Sequence, residues 1–324
     1  MKKVSVIVPV YNSEEYIREC LDSLVYQTIE EIEIIVVNDG STDGSKAVID
    51  EYVQRFPDKM VYVYKRNGGQ AAARNLGISI ATGEYIGFVD SDDYVDVKMY
   101  EAMYEKANIT KCDLVECDYK YLYVQRDGKI QNVKKYGNVH PYKDFKDMFK
   151  DPLVSPWNKL YKAEVLKLNN ILFPEGYIYE DTSFYIKAIP YIKTTEFIDK
   201  EYVYHFLRDN STMNSKREER VGNIFPVLQD ILDEYRNKEM YEEYHKYLEY
   251  FCVKILLCSS LKRIAKLKDK ALKKKFIKKT IQMISTEFPD YRKNDLFRKN
   301  MIGLYMRCVN RISINIAAFA FRSN

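Results

Sequence analysis

Two stretches decide the fold: VSVIVPVYN at residues 4–12 and EIIVVNDG at residues 33–40. Each is a short, largely β-branched apolar run that ends abruptly in polar, turn-forming residues. That is the signature of a strand buried on both faces. Further strands are expected at Met60–Tyr64 and Glu84–Val89. Between them lie segments of helical period. Ser13–Tyr26 places Tyr16, Ile17, Cys20, Leu21 and Leu24 on one face, with Ser13 expected as N-cap. Ser45–Phe56 and Gln70–Ala81 continue the alternation. The resulting βαβαβαβ order predicts an α/β fold: a mostly parallel sheet flanked by helices, with right-handed crossovers.

After about Lys111 the pattern loosens into strand-like pieces (Leu114–Tyr123, Tyr202–Phe206) and a helix at Thr182–Ile189. From Glu218 the chain reads as helical throughout. The polar stretch Asp209–Lys216 suggests a boundary, giving a catalytic domain at 1–215 (halves 1–110 and 111–215) and a helical C-terminal region at 216–324. Charge divides at the same place. Residues 216–324 hold 24 Lys/Arg against 13 Asp/Glu, a net of +11, whereas residues 1–215 carry −7. The six cysteines form no C-x-x-C pair and read as reduced packing thiols. Lys2 and Lys3 precede only five residues before Pro9, too few for a secretory signal, so a cytoplasmic location is expected.

In open parallel sheets, ligands bind beyond the carboxyl ends of the strands. The loops there are Pro9-Val10-Tyr11-Asn12, Asn38 to Asp43, Asn67-Gly68-Gly69 and Asp90-Ser91-Asp92-Asp93. They offer carboxylate, amide, hydroxyl and glycine, as a polar ligand requires. Neither a dinucleotide G-x-G-x-x-G nor a G-x-x-x-x-G-K-[ST] loop occurs. In extended backbone Asp90 and Asp92 would project the same way, and a hard divalent cation bridging to a diphosphate would relieve their repulsion. The same tetrapeptide is also a common turn composition.

VSVIVPVYN (4–12), VVNDGSTDGS (36–45), Asn67-Gly68 followed by Ala72-Ala73-Arg74-Asn75 and Gly77, and FVDSDD (88–93) together resemble glycosyltransferase family 2. The resemblance implies a GT-A fold, an inverting transfer from a nucleotide-diphosphate sugar, and roles for individual residues. Pro9, Tyr11 and Asp39 would hold the base, with Asp39 accepting from the ring N–H. Arg74 would fix the donor, Asp90 would contact ribose or sugar, and Asp92 would ligate Mn²⁺ or Mg²⁺. Asn12, Asn67, Gly68 and Ser91, in the same loops, complete the expected donor site. Asp39 as a turn residue and Arg74 as a structural ion pair are the plainer alternatives.

Glu180-Asp181 resembles the family's ED motif, which makes Asp181 the expected base and Glu180 its neighbour and substitute. Either acid could instead cap the helix that follows. Trp157, the only tryptophan, lies in a W-N-K-L run resembling polysaccharide-building members; it is expected as an acceptor-site wall or as a core residue. His205 is a candidate metal or phosphate contact, or a packed ring, and Arg208 a candidate diphosphate clamp. Residues 262–279 hold ten Lys/Arg and one acid, with Leu261, Ile264, Ala265, Leu272 and Phe276 on one stripe. That pattern suits either a membrane-surface helix on the inner face of the cell membrane or a packed bundle. Ile312–Phe321 adds an apolar stretch too polar to span a bilayer. No nucleic-acid recognition motif is present, and a homodimer stays open. The expected reaction moves a hexose or N-acetylhexosamine, UDP-linked by resemblance, to a saccharide acceptor, itself lipid-linked, in capsule or exopolysaccharide synthesis. A nucleotidyltransferase would carry a glycine-rich basic loop where PVYNSEEY stands; an inactive sugar-binding module would lack the acids.

Overall fold

The computed structural model describes residues 2–124, 130–135, 142, 144–207, 218–297, 301–310 and 313–314. Arg208, and all of Ile312–Phe321 except 313–314, lie outside the described residues. Two compact units form. The first comprises residues 1–145, 153–176 and 180–211; the second comprises 146–152, 177–179 and 212–324.

Among the described residues, the first unit forms a nine-stranded mixed sheet. Its strands are β1 (Val4–Val10), β2 (Ile32–Asp39), β3 (Met60–Lys65), β4 (Tyr85–Phe88), β5 (Tyr94–Val95), β6 (Leu114–Val124), β7 (Ile130–Lys135), β8 (Lys159–Lys162) and β9 (Thr195–Leu207). The order is β3-β2-β1-β4-β8-β6-β9-β5, with β7 pairing β6. β1 to β4 form the expected parallel block. β8 joins it antiparallel to β4 and β6, while β6 and β9 pair parallel and β5 pairs antiparallel to β9, so the second half of the sheet is mixed. The helices are α1 (Ile17–Val25), α2 (Ser45–Arg55), α3 (Gln70–Ile80), α4 (Met99–Thr110), α5 (Ala163–Leu168) and α6 (Glu180–Ala188).

Strand β1 shows why both faces must be apolar. Val4, Val6, Val8 and Val10 pack with Ile17, Leu21 and Leu24 of α1 and with Ile49 and Tyr52 of α2. On the opposite face Ile7 meets Gly77 of α3, where a Cβ would lie 2.4 Å from Ile7 Cγ2. Only glycine lets α3 approach so closely. Pro9 in a central strand would normally cost a ladder bond. Here the Ile7 carbonyl accepts from Val89 N–H on the β4 side. Pro9, two residues on, faces the same way, beyond the end of the β4 ladder at Phe88.

Ser13 does not cap α1 with its side chain; its carbonyl accepts from Tyr16 and Ile17, both at 2.9 Å. Its hydroxyl is used elsewhere, at the rim described below.

The second unit is helical: α7 (Ile224–Asn237), α8 (Tyr241–Lys254), α9 (Leu261–Ala265), α10 (Lys270–Glu287) and α11 (Met301–Cys308). A π-helical stretch, Ile255–Ser260, joins α8 to α9. Asp269 caps α10, accepting from Ala271 and Leu272. The stripe predicted on the basic helix is already packed. Leu261, Ile264, Ala265 and Phe276 are buried, with Phe276 5.9 Å from Phe225 of α7. Withdrawing such a side chain from the core costs roughly 1.5–3 kcal/mol. Of the two readings of this stripe, membrane surface or packed bundle, the burial supports the packed bundle. What α10 leaves outward is charge: Lys270, Lys274, Lys275, Lys278 and Lys279 are exposed. Among the described residues no helix is long and apolar enough to cross a membrane.

Candidate active site

The four loops that follow β1 to β4 are tied to one another by side-chain bonds. Asn12 Oδ1 accepts from Thr42 N–H at 2.8 Å, and Asn12 N–H donates to Ser41 Oγ at 3.1 Å. Ser13 and Ser91 share a hydroxyl bond of 2.7 Å. Asp39, at the end of β2, is buried and accepts from Gly68 N–H (2.9 Å), Gly69 N–H (2.7 Å) and Lys65 Nζ (2.6 Å). Gln70 donates to Asp90 Oδ1 at 2.9 Å. Gly69 holds φ +92° at the start of α3, a conformation L side chains avoid. Tyr11 and Asn67 are exposed on this rim. The arrangement is a preformed polar cradle, as a flexible polar ligand requires.

Arg74 is the hub of the acidic groups. It is 1% exposed, on α3, above the ring of Phe173 at 5.1 Å. Its NH2 donates to Asp90 Oδ1 at 2.7 Å; its NH1 donates to Asp181 Oδ1 at 2.7 Å and Glu180 Oε1 at 3.3 Å. One fork thus joins the carboxylate after β4 to the two acids opening α6. Three carboxylates around one cation leave an acid excess. Burial raises Asp181 to about 7, with Arg74 opposing the rise and Glu180 and Asp90 adding to it. Glu180 is raised for the same leading reason. Arg74 is held charged by the three acids against the cost of its own burial.

The acidic tetrapeptide is a turn, not extended chain: Asp93 N–H donates to Asp90 O at 3.0 Å. The expectation of extended backbone at Asp90–Asp92 is corrected. A D-S-D-D sequence favours turns, and the turn sends Asp90 and Asp93 to different partners. Asp90 goes to Arg74 and Gln70. Asp93, which sequence reasoning passed over, is buried; it accepts Phe206 N–H at 2.9 Å and lies 2.6 Å from His205 Nδ1. That partner raises the His205 pKa despite burial. Asp92 is half-buried and close enough to add to the same shift.

Trp157 is 5% exposed, stacked on His205 at 5.1 Å and edge-on to Tyr119 at 4.7 Å. The ring belongs to the core, so the open acceptor wall is not what the structure places there. Its neighbour Lys159 is fully buried and pairs with buried Glu116 at 3.1 Å. A lysine in W-N-K-L and a glutamate in LVECDY are the only sequence traces of that pair. Among the described residues no group of three or more His, Cys, Asp or Glu is arranged to hold a metal ion.

The model of glycosyl transferase family 2 matches residues 5–168, half of the chain. The chain belongs to glycosyltransferase family 2. Two of its relatives are glycosyltransferases by name. EpsH of Bacillus subtilis is 32% identical over 258 residues, 77% of this chain and 74% of EpsH. The uncharacterized EpsJ of the same organism is 35% identical over 208 residues, 62% of this chain and 60% of EpsJ. The chain therefore spans less than two thirds of EpsJ. The crystal structure of S. aureus TarS residues 1–349 in complex with UDP-GlcNAc superimposes with a TM-score of 0.74 at 24% identity, covering 99% of this chain and 92% of that one. The likeness shows a shared fold.

Proposed function

We propose that this family 2 enzyme transfers a hexose or N-acetylhexosamine from a UDP-sugar to a hydroxyl of a lipid-linked saccharide during surface polysaccharide synthesis, at the inner face of the cell membrane, with residues 1–215 as the catalytic part. The observation that carries the reading is the Arg74 fork. A single buried guanidinium holds the donor-side acid Asp90 and the candidate base Asp181 at 2.7 Å each, which sets the reacting groups in one frame.

In this reading Tyr11 offers an exposed ring to the base, and Asp39 retains acceptor capacity beside its three intrachain donors. Pro9 shapes the strand end, Asn12, Gly68 and Ser91 hold the loops in register, and Asn67 lies on the rim. Asp181 takes the proton of the acceptor hydroxyl as its oxygen attacks the anomeric carbon, and the bond from that carbon to the diphosphate oxygen breaks. A carboxyl raised to about 7 is suited to that exchange near neutrality. A divalent cation, Mn²⁺ or Mg²⁺, would offset charge on the departing diphosphate. Asp92 and His205 would be its protein donors. Two protein ligands with the rest from phosphate and water is usual for such ions, and a carboxylate on the other ring nitrogen, as Asp93 supplies, is usual for a ligating histidine.

The test is incubation with UDP-glucose, UDP-galactose and their N-acetyl forms in the presence of Mn²⁺. Release of UDP from at least one is expected. Exchange of pyrophosphate into a nucleotide sugar, with no UDP formed, would overturn the reading in favour of a nucleotidyltransferase.

A further inference from the structure

Helix α11 is turned the wrong way for a soluble bundle. Met301, Ile302 and Leu304 are 86%, 55% and 60% exposed, and Cys308 is exposed beside them. At 100° per residue, Leu304, Cys308, Met301 and Ile302 fall within one arc of roughly 160°, in which Tyr305 is half-buried. Gly303 and Met306 are buried on the opposite side. The helix is fixed in that orientation. Tyr291 Oη donates to Met306 O at 3.1 Å, Arg292 Nε to Arg307 O at 3.0 Å, and Tyr305 Oη to Leu257 O at 2.9 Å. Ile302, Gly303 and Met306 also line a cleft of about 320 Å³ whose other walls are Tyr250 and Leu296 with two lysines, Lys150 and Lys254, and two acids, Asp151 and Asp295.

Charge identifies what this face meets. Residues 296–324 contain five Lys/Arg and no Asp or Glu, within a segment 216–324 of net +11. A second copy of the chain, or the chain's own terminal segment, would bring more positive charge to a positive surface. An anionic bilayer brings the opposite charge and a solvent for the apolar arc. We propose that α11 is an interfacial anchor, seated through Met301, Ile302 and Leu304 on an anionic lipid surface, with the exposed lysines of α10 contributing attraction only. This moves the membrane contact from the helix chosen by sequence pattern to one whose apolar face is unspent. It builds on the reading that the acceptor is lipid-linked, and the two fail separately, because UDP release in solution does not read vesicle binding.

The test is flotation of the full chain with vesicles of phosphatidylcholine and phosphatidylglycerol, and with phosphatidylcholine alone. The wild type is expected to float with the anionic vesicles. Met301→Asp combined with Leu304→Asp is expected to lower partition at least about tenfold while UDP release in solution stays unchanged, which shows the fold intact. As a second readout, an environment-sensitive dye on exposed Cys308 is expected to shift to the blue on anionic vesicles. Unchanged flotation of the double variant, or no dye shift, would overturn the assignment. So would loss of flotation on removing residues 315–324 alone, which would give the contact to the terminal segment. A wild type that dimerises through Met301 and Leu304 without binding vesicles would give the face to a second copy.

Discussion

Replacing Asp181 by asparagine is expected to lower kcat by about 10³-fold, the range lost with a general base, with little change in UDP-sugar affinity. The amide still accepts from Arg74 NH1, so the frame survives; what goes is the ability to take a proton. The wild-type rate should rise with pH and level off above about 7, because the raised carboxyl must lose its proton to act. The variant should lack that limb. Initial rates of UDP release across pH check both statements. A variant that keeps its rate within tenfold of wild type, and keeps the limb, would move the base elsewhere, with Glu180 on the same guanidinium nitrogen as the next candidate.

Removing Arg74 is expected to have the largest effect on stability. Arg74→Ala leaves Asp90, Glu180 and Asp181 without their shared cation in a buried setting. Breaking such a group on one side costs about 3–5 kcal/mol. The cost should depend on pH. Asp181 and Glu180 bind protons more tightly in the folded than in the unfolded chain. The stability they contribute is therefore fully present below the ordinary carboxylate range and is lost as pH rises through the folded values. Without the guanidinium those values rise further. The deficit should be small near about pH 5 and full near about pH 8. Urea denaturation at the two pH values measures it, and equal deficits would mean that Arg74 acts by packing on Phe173 alone. Arg74→Lys should fall between, since an ammonium cannot reproduce the planar fork.

The half of the fold that could be read from residues is the half built from doubly buried strands. VSVIVPV and IEIIVV are apolar on both faces because α1, α2 and α3 cover both, and no other element tolerates such runs. The second half resists reading for the opposite reason. KLYK at Lys159–Lys162 is a central strand, yet it carries a lysine whose burial depends on Glu116, forty-three residues earlier. Pattern cannot show a partner that distant. At the site, the rim loops were legible because strand ends in a parallel block share one edge. The direction of each acid was not. Whether D-S-D-D is extended or turned depends on Asp93 finding His205 and Phe206 on β9, a contact across 112 and 113 residues. Trp157 illustrates the same limit: its apolar body suits a sugar face or a core equally, and only the His205 stack decides. Across α9 and α10 the apolar stripe was plain, but its burial, with Phe276 set against Phe225, was not.

The cradle and its cation are tested together by calorimetric titration of UDP into the wild type and into Asp92→Asn, each with and without Mn²⁺. The account predicts that Mn²⁺ tightens UDP binding to the wild type at least about tenfold, as expected for a cation bridging protein carboxylate and diphosphate. It predicts that Asp92→Asn loses most of that gain while its manganese-free binding is unchanged. Binding of UDP that is the same with and without Mn²⁺, in both proteins, would contradict it.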